Sequence, residues 1–313
     1  MTPYLWRLCC LSLAVVFVVQ LIVGLVWRGL APVIVRFAEG IDPAKAASLM
    51  LWLRWLPAAC GAFVSLCLCA PAYLRLEPLV GDEEIGYSGM FLTGLALLSY
   101  LIPAGRVAWG AWRSEVRLRA LVRDAEERSG VYVIRETSPA MALAGLFHAR
   151  VVVSREVVEL LPPDQMEAAQ RHERAHRESW DNWKRLVLEA APLDSSGLEL
   201  RRAWARFAEW AADDKATAGN TARSVALASA LVSVARLGSF EECLTQASML
   251  VSDGRDLRVR VERLLEPSGQ VPLRPRVWPV ACFLGAAAAM LVAFAQKPEC
   301  AAMVHRVLET LVD

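Results

Sequence analysis

The sequence predicts an α+β protein, mainly helical, that crosses a membrane four times and carries one large domain on the cytoplasmic side. Hydrophobic residues make up 56% of the 313 residues, above the roughly 45–50% of soluble globular domains, and the mean hydropathy is +0.36. The formal net charge is only +1, which excludes a global basic field of the kind that attracts nucleic acid. The composition therefore predicts contact with a lipid bilayer and no direct contact with nucleic acid.

Four apolar stretches are close to the roughly 20 residues that span a bilayer as a helix. They are residues 8–27, 55–74, 88–105 and 277–295. None contains Asp, Glu, Lys or Arg, which argues against a transporter, because transport pathways usually carry ionisable groups inside the membrane. Most cysteines lie in apolar stretches and no CxxC pair occurs, so neither a disulfide framework nor a thiolate metal site is indicated.

Positive charge sets the predicted orientation, because short loops rich in Lys and Arg stay in the cytoplasm. Arginines cluster after the third stretch and before the fourth, whereas the loop after the second stretch is mainly acidic. The loop between the first two stretches is basic and carries Arg28, Arg36, Lys45 and Arg54. The chain thus divides into a membrane region (1–105), a cytoplasmic domain (106–276), a fourth span (277–295) and a tail (296–313), with both termini outside.

The cytoplasmic domain has its own order of predicted elements. A basic amphipathic helix covers about 107–128, and alternating β-branched residues predict a strand in "GVYVIRE". A second strand is predicted at 150–154, before a long helix that opens at 162–164 and carries "HERAHRESWDN". Alanine-rich segments with helical periodicity predict further helices across 199–265.

The stretch "HERAH" has the spacing of a metal site. His172 and His176 are four residues apart, so one helix face presents both imidazoles to the same ion. Two neutral imidazoles are typical ligands of catalytic zinc, which keeps a position open for water. Glu173 is placed to reach that water as a general base. For this motif alone, the alternative is a solvated, charged helix whose histidines have no function.

The third ligand is expected to be a carboxylate on a later helix. The stretch "FAEWAADDKA" places Glu209 and Asp213 one turn apart on one face. Glu209 completes a two-histidine, one-glutamate set, and Asp213 is placed to accept a hydrogen bond from the far nitrogen of His172. Alone, this pair indicates a solvated helix face; together with "HERAH" it predicts zinc as the cofactor.

These motifs together resemble the membrane zinc peptidases of the BlaR/MecR type, the β-lactam sensor–transducers of staphylococci, over roughly residues 1–296. "HERAHRESWDN" is similar to the family's HExxH followed by an Asp, "EWAADDKA" to its Glu-x-x-Ala-Asp helix, and "SPAMALAGLFHARVVVS" to the segment before its edge strand. The resemblance implies a zincin-like, gluzincin-type domain in a multi-pass protein of the bacterial inner membrane. It also implies zinc on His172, His176 and Glu209, with Glu173 as the base.

The resemblance assigns further residues around the ion. Asp181 is expected to help fix the active-site helix, with a solvated charge as the alternative, and Arg223 is a candidate for stabilising the oxyanion. An extended substrate is expected to add backbone hydrogen bonds to an edge strand. The candidate residues of that strand are Ala144, Gly145, Arg150, Val151, Val152, Val153 and Ser154.

The expected function is that of a zinc endopeptidase that cleaves a protein at the cytoplasmic face in regulatory signalling, with a transcriptional repressor or the protein itself as candidate substrate. The alternative is a non-catalytic signalling or scaffold protein with a degenerate peptidase domain, and the intact Glu173 argues against it. The best-known members of the family carry a penicillin-binding sensor domain after the fourth span. The tail (296–313) is too short to fold into one, so direct β-lactam sensing by this chain is not expected.

Overall fold

The computed structural model describes residues 2–77, 86–123, 125–128, 131–134, 141–146, 149–192, 197–236, 254–266, 293 and 297–309. Its helices are α1 (Thr2–Ala38), α2 (Pro43–Val64), α3 (Ala70–Leu76), α4 (Tyr87–Arg123), α5 (Arg155–Leu160), α6 (Pro163–Glu178), α7 (Asp181–Ala190), α8 (Gly197–Thr217), α9 (Thr221–Arg236), α10 (Gly254–Leu265) and α11 (Pro298–Glu309). Its strands are β1 (Glu126–Arg128), β2 (Val131–Ile134), β3 (Met141–Ala144) and β4 (Arg150–Ser154). The mainly helical character is confirmed, and the predicted fourth span, 277–295, lies outside the described residues apart from residue 293.

Within the described residues, three helical segments are long and apolar enough to cross a membrane: Tyr4–Ala38, Pro43–Leu76 and Tyr87–Arg123. The second joins α2 to α3 through a π-helical turn at Ser65–Cys69. These segments contain the first three predicted spans, but the shortest has 34 residues and the longest 37. At 1.5 Å per residue they are about 50 Å long, against a hydrocarbon core of about 30 Å. Each helix therefore continues well beyond the length that a bilayer requires.

Exposed aromatic side chains occur near both ends of the apolar part of α4. Tyr87 at the start of α4 is 94% exposed, and Trp109 further along the same helix is 60% exposed. The two are about 33 Å apart along the helix axis, which is close to the thickness of the hydrocarbon core. Trp and Tyr concentrate at membrane–water interfaces, so this spacing agrees with α4 as a candidate membrane-crossing helix.

The end of α1 and the first half of α2 pack against α8. Ala38 at the end of α1 and Met50 in the first half of α2 share an apolar core with Trp204 and Phe207 of α8, and all four are buried. Burial of such side chains stabilises the contact by roughly 25 cal/mol for each Å² of apolar surface removed from water. α1 and α2 are thus connected to α8 by a shared apolar core.

Arg54 makes a second connection between α2 and the following domain. Its Nη2 donates hydrogen bonds to the carbonyl oxygens of Ala191 at 3.1 Å and Pro192 at 2.7 Å. Gly197 allows this approach, because a Cβ atom there would lie 3.1 Å from the Arg54 guanidinium carbon. The basic segment between the first two predicted spans is mostly helical, since α1 ends at Ala38 and α2 begins at Pro43. The four charges assigned to that loop lie within helices: Arg28, Arg36, Lys45 and Arg54.

The described strands form one sheet in the order β1-β2-β4-β3, in which β2 runs parallel to β4 and the other two pairs are antiparallel. The two predicted strands are confirmed as β2 and β4. The predicted amphipathic helix 107–128 ends too late, because α4 stops at Arg123 and residues 126–128 pair with β2 as β1.

The strand expected at the sheet edge lies inside the sheet. β4 is paired on one side with β2 and on the other with β3, so its backbone hydrogen-bonding groups are already used within the sheet. The assignment of Arg150, Val151, Val152, Val153 and Ser154 to a substrate-binding edge is therefore wrong. The edge strand on that side is β3, which contains Ala144 and is followed directly by Gly145.

The helix predicted to carry "HERAHRESWDN" is two helices. α6 ends at Glu178, and Trp180 adopts a left-handed backbone conformation with φ of 59° before α7 begins at Asp181. A positive φ is uncommon for a bulky residue. This turn directs α7 away from α6 and returns the Asp181 side chain towards the end of α6.

The far end of the membrane helices holds the tail helix. α11 packs against α3 and the start of α1 in a small apolar cluster that includes Leu11, Tyr73 and Val304. Arg7 lies 2.8 Å from Glu77, and His305 lies 3.5 Å from the second oxygen of the same carboxylate. The start of α1 and the tail helix therefore lie on the same side of the membrane helices.

Candidate metal centre

Helix α6 brings the first three candidate residues together in the interior. Pro163 and Asp164 lie in the first turn of the helix. Both residues are favourable at a helix N-terminus. About two turns further on, His172, Glu173 and His176 are each buried, at 6%, 9% and 9% exposure. The Nε2 atoms of the two histidines are 3.1 Å apart, so the i, i+4 spacing aims both imidazoles at one point.

Glu209 of α8 reaches the same point. Its Oε2 lies 3.4 Å from Nε2 of His172, and its Oε1 lies 3.6 Å from Nε2 of His176. Ligand atoms about 2.1 Å from a tetrahedral ion are separated by about 3.4 Å, and the three separations here are close to that value. His172, His176 and Glu209 form the group of possible metal ligands found among the described residues. The donor set thus fits one divalent ion of the size of zinc.

A carboxylate lies behind each histidine. Asp181 Oδ2 is 2.7 Å from Nδ1 of His176, and the contact is a hydrogen bond. Asp213 Oδ1 is 2.9 Å from Nδ1 of His172, with poorer alignment of the N–H group. A carboxylate at Nδ1 favours the tautomer with the proton on that atom, which leaves the lone pair of Nε2 for a metal.

The carboxylates give the site a negative electrostatic potential. Burial lowers the pKa of His176, but the charge of Glu209 and the contacts with Asp181 and Glu209 outweigh burial and raise that pKa to about 10. Burial also lowers the pKa of His172, and contacts with Asp213 and Glu209 raise it above its ordinary value. The carboxylates thus stabilise positive charge between the two histidines. A divalent cation bound to Nε2 of both would supply that charge without protonating them.

Glu173 is held beside the histidines without being one of the three ligands. Burial raises the pKa of its carboxyl group, and the opposing effects of the nearby histidines are smaller. The backbone of Leu143 in β3 lies within hydrogen-bonding reach of this carboxylate. Its Oε2 is buried and accepts no hydrogen bond from any residue that the structure describes. A buried carboxylate oxygen without a partner is costly, so this atom is placed to accept a proton from a molecule that enters the site.

Helix α7 fixes the edge strand over the site. The side-chain amide of Asn182 donates to the carbonyl oxygen of Gly145 at 2.7 Å, and the indole of Trp183 donates to that of Leu146 at 3.1 Å. Gly145 has φ of 94°, a backbone conformation that residues other than glycine rarely adopt. A cavity of about 240 Å³ lies between this segment, Trp180 and His176.

Two arginines, Arg223 and Arg260, have different surroundings. The N–H of Arg223 donates to the Asn220 side chain at 3.0 Å, and its guanidinium helps to lower the pKa of Glu167, after the larger effect of Arg171. Its role at an oxyanion stays a prediction. Arg260 of α10, which sequence reasoning missed, contacts both Glu209 and Asp213.

Replacing Asp181 by asparagine is expected to weaken zinc binding by about 10–100-fold, because the partner that orients a ligand histidine loses its charge. The affinity can be measured by competition with a chromophoric chelator. The control is Asp214→Asn, which removes an exposed carboxylate beside Asp213. Equal affinities of the two variants would contradict a role of Asp181 at the metal.

Comparison with protein-family models, with curated proteins and with solved structures finds no significant match to this chain. The geometry of His172, Glu173, His176 and Glu209 is therefore the main support for any functional assignment, and the likeness to membrane zinc peptidases remains a prediction from the motifs.

Proposed function

We propose that this protein is an integral-membrane zinc endopeptidase that hydrolyses a protein substrate at the cytoplasmic face of a bacterial inner membrane. The observation that carries the proposal is the convergence of His172, His176 and Glu209 on one point, with the buried carboxylate of Glu173 beside it. A zinc ion and a general base placed side by side are the parts that peptide hydrolysis needs. On a charged, solvated helix these groups would be exposed to water, because burial of unpaired charged groups is costly.

Each side chain has a defined task in this proposal. Zinc, when bound to His172, His176 and Glu209, supplies a Lewis acid that polarises a carbonyl group and makes water acidic near neutral pH. Glu173 accepts the proton at its carboxylate and holds it for the leaving amine. Burial raises the pKa of Glu173, which brings its basicity closer to the working pH and so improves the proton transfer.

Strand β3 is the proposed binding surface for the substrate backbone. It forms an edge of the described sheet, and Leu143 in this strand is in reach of Glu173. An extended peptide that adds to this edge would pass directly over the proposed metal. Of the residues predicted for the substrate-binding edge, Ala144 and Gly145 remain part of this proposed surface.

Helices α10 and α11 lie in different parts of the structure. α10 lies against α8, beside the candidate metal centre, whereas α11 lies at the far end of the membrane helices. The proposal keeps the fourth span at 277–295, for which the support is the apolar sequence there. The proposed substrate rests on the likeness to membrane zinc peptidases, which suggests a transcriptional repressor or the protein itself.

Metal removal tests this function. The full chain, purified in detergent, is expected to contain about one zinc ion per molecule and to cleave a casein-like substrate or itself. Chelation with 1,10-phenanthroline should abolish cleavage, and added zinc should restore it, because the metal supplies the Lewis acid. Metal content is measured by atomic emission and cleavage by gel and mass spectrometry. A protein that binds zinc but cuts nothing under any of these conditions would favour the non-catalytic scaffold instead.

A further inference from the structure

We propose that Arg260 is a positioning residue that sets the metal affinity of the site by holding Glu209 and Asp213 in place. This inference rests on the proposed metal site. Arg260 lies on α10, 47 positions after Asp213 in the chain, and it is only 7% exposed. Its guanidinium joins one metal ligand to the carboxylate that lies behind another.

The Arg260 guanidinium makes contacts through all three of its nitrogen atoms. Nε and Nη2 donate to the two oxygens of Asp213, at 2.9 and 2.7 Å. The remaining Nη1 lies 3.0 Å from Oε2 of Glu209, which is also the oxygen closest to Nε2 of His172. A planar, two-point contact fixes orientation as well as charge. Rotation of either carboxylate away from the site would therefore break a contact with Arg260.

Two carboxylates one turn apart in the interior repel each other unless a cation lies between them. Arg260 supplies that cation, because its guanidinium lies 3.0 Å from Glu209 and 2.7 Å from Asp213. It thereby holds the two carboxylates close together before a metal arrives. A preformed ligand set binds an ion more tightly than one that must first be ordered.

The charge of Arg260 alone has the opposite effect on metal binding. A guanidinium beside the ligands repels a divalent cation, so removal of the charge without any loss of positioning would strengthen binding. Positioning and charge therefore predict opposite signs for a neutral substitution. The sign of the change in zinc affinity therefore distinguishes positioning from charge. A general structural role of Arg260 does not supply such a readout.

Helix α10 has contacts that do not involve Arg260. Arg263 Nη2 lies 2.6 Å from Asp214, and its Nη1 donates to the carbonyl oxygen of Trp210 at 3.4 Å. Leu264 is buried against Leu227 of α9. These contacts hold α10 against α8 and α9, so Arg263→Gln is a matched control that weakens the same helix interface without touching a proposed ligand.

The experiment measures the zinc affinity of the full-length, detergent-purified chain by competition with a chromophoric chelator. Arg260→Gln is expected to weaken zinc binding by about 10–100-fold, as loss of partners that orient ligands generally does. Arg260→Lys, which keeps the charge but not the fork, is expected to weaken it as well. Arg263→Gln should stay within about threefold of the unsubstituted protein, since an exposed ion pair contributes little.

Zinc binding by Arg260→Gln that equals or exceeds that of the unsubstituted protein would overturn the proposal. If Arg260→Gln does not fold, as judged by circular dichroism, Arg260→Lys decides the question, and an unchanged affinity in that variant would overturn it. The proposed function fails separately. A chain that binds zinc but cleaves no substrate would refute the peptidase and leave the measured effect of Arg260 on affinity standing.

Discussion

Glu173→Gln is expected to keep about one zinc ion per chain and to lose cleavage by a factor of roughly 10²–10⁴, the usual contribution of a general base. The amide has nearly the same size as the carboxylate and can still accept the hydrogen bond offered by the backbone of Leu143. It cannot accept a proton near neutral pH. Since Glu173 is not one of the three proposed ligands, the metal should remain bound.

The measurement compares cleavage of a casein-like substrate with zinc content on the same preparations. Glu178→Gln is the matched control, because Glu178 lies on the same helix but is exposed and pairs with Lys215 at 2.6 Å. Its cleavage rate should be unchanged. If Glu173→Gln cleaves at the rate of the unsubstituted protein while zinc stays bound, another group accepts the proton and the assignment of Glu173 is wrong.

Local spacing explains why much of the candidate site could be predicted from the sequence. His172, Glu173 and His176 lie within one helix, as do Glu209 and Asp213, so helical geometry alone sets which of them share a face. The structure places Asp213 beside His172, as the motifs indicated, and also brings Asp181 to His176. The second contact depends on the turn at Trp180, for which the sequence offers no glycine or proline as a signal.

Long-range contacts explain what could not be predicted. Arg260 is one of a group of arginines between 255 and 276 that the orientation argument treats as a single positive cluster. Its contacts with Glu209 and Asp213 depend on the fold and not on local spacing. The edge strand β3 is just four residues, "MALA", too short and too uniformly apolar to show the alternation that identifies a strand.

The packing of α1 and α2 against α8 was also not predictable from the sequence, because apolar residues that face lipid and those that face α8 look alike in composition. A further contact connects α2 with the helix that follows the candidate site. Trp55 donates to the carbonyl oxygen of Val187 at 3.1 Å, and Val187 is six residues, at most about 9 Å along the helix, from Asp181. Asp181 in turn contacts His176. Trp55 of α2 is thus connected to the candidate metal centre through α7.

Glu209→Gln should have the second large effect, a loss of more than about 100-fold in zinc affinity, since a ligand contributes more than the residues that orient ligands. A neutral amide also leaves Arg260 Nη1 without its charged partner and makes the site less electronegative. Because a metal that binds only the folded state stabilises it by about 2.7 kcal/mol when present at 100 times its Kd, added zinc should raise the unfolding temperature of the unsubstituted chain but not that of Glu209→Gln. Glu199→Gln, an exposed position on α8, should respond to zinc like the unsubstituted chain. If Glu209→Gln retains about one tightly bound zinc ion, the third ligand lies elsewhere, and the convergence of Glu209 on the two histidines would reflect packing rather than metal binding.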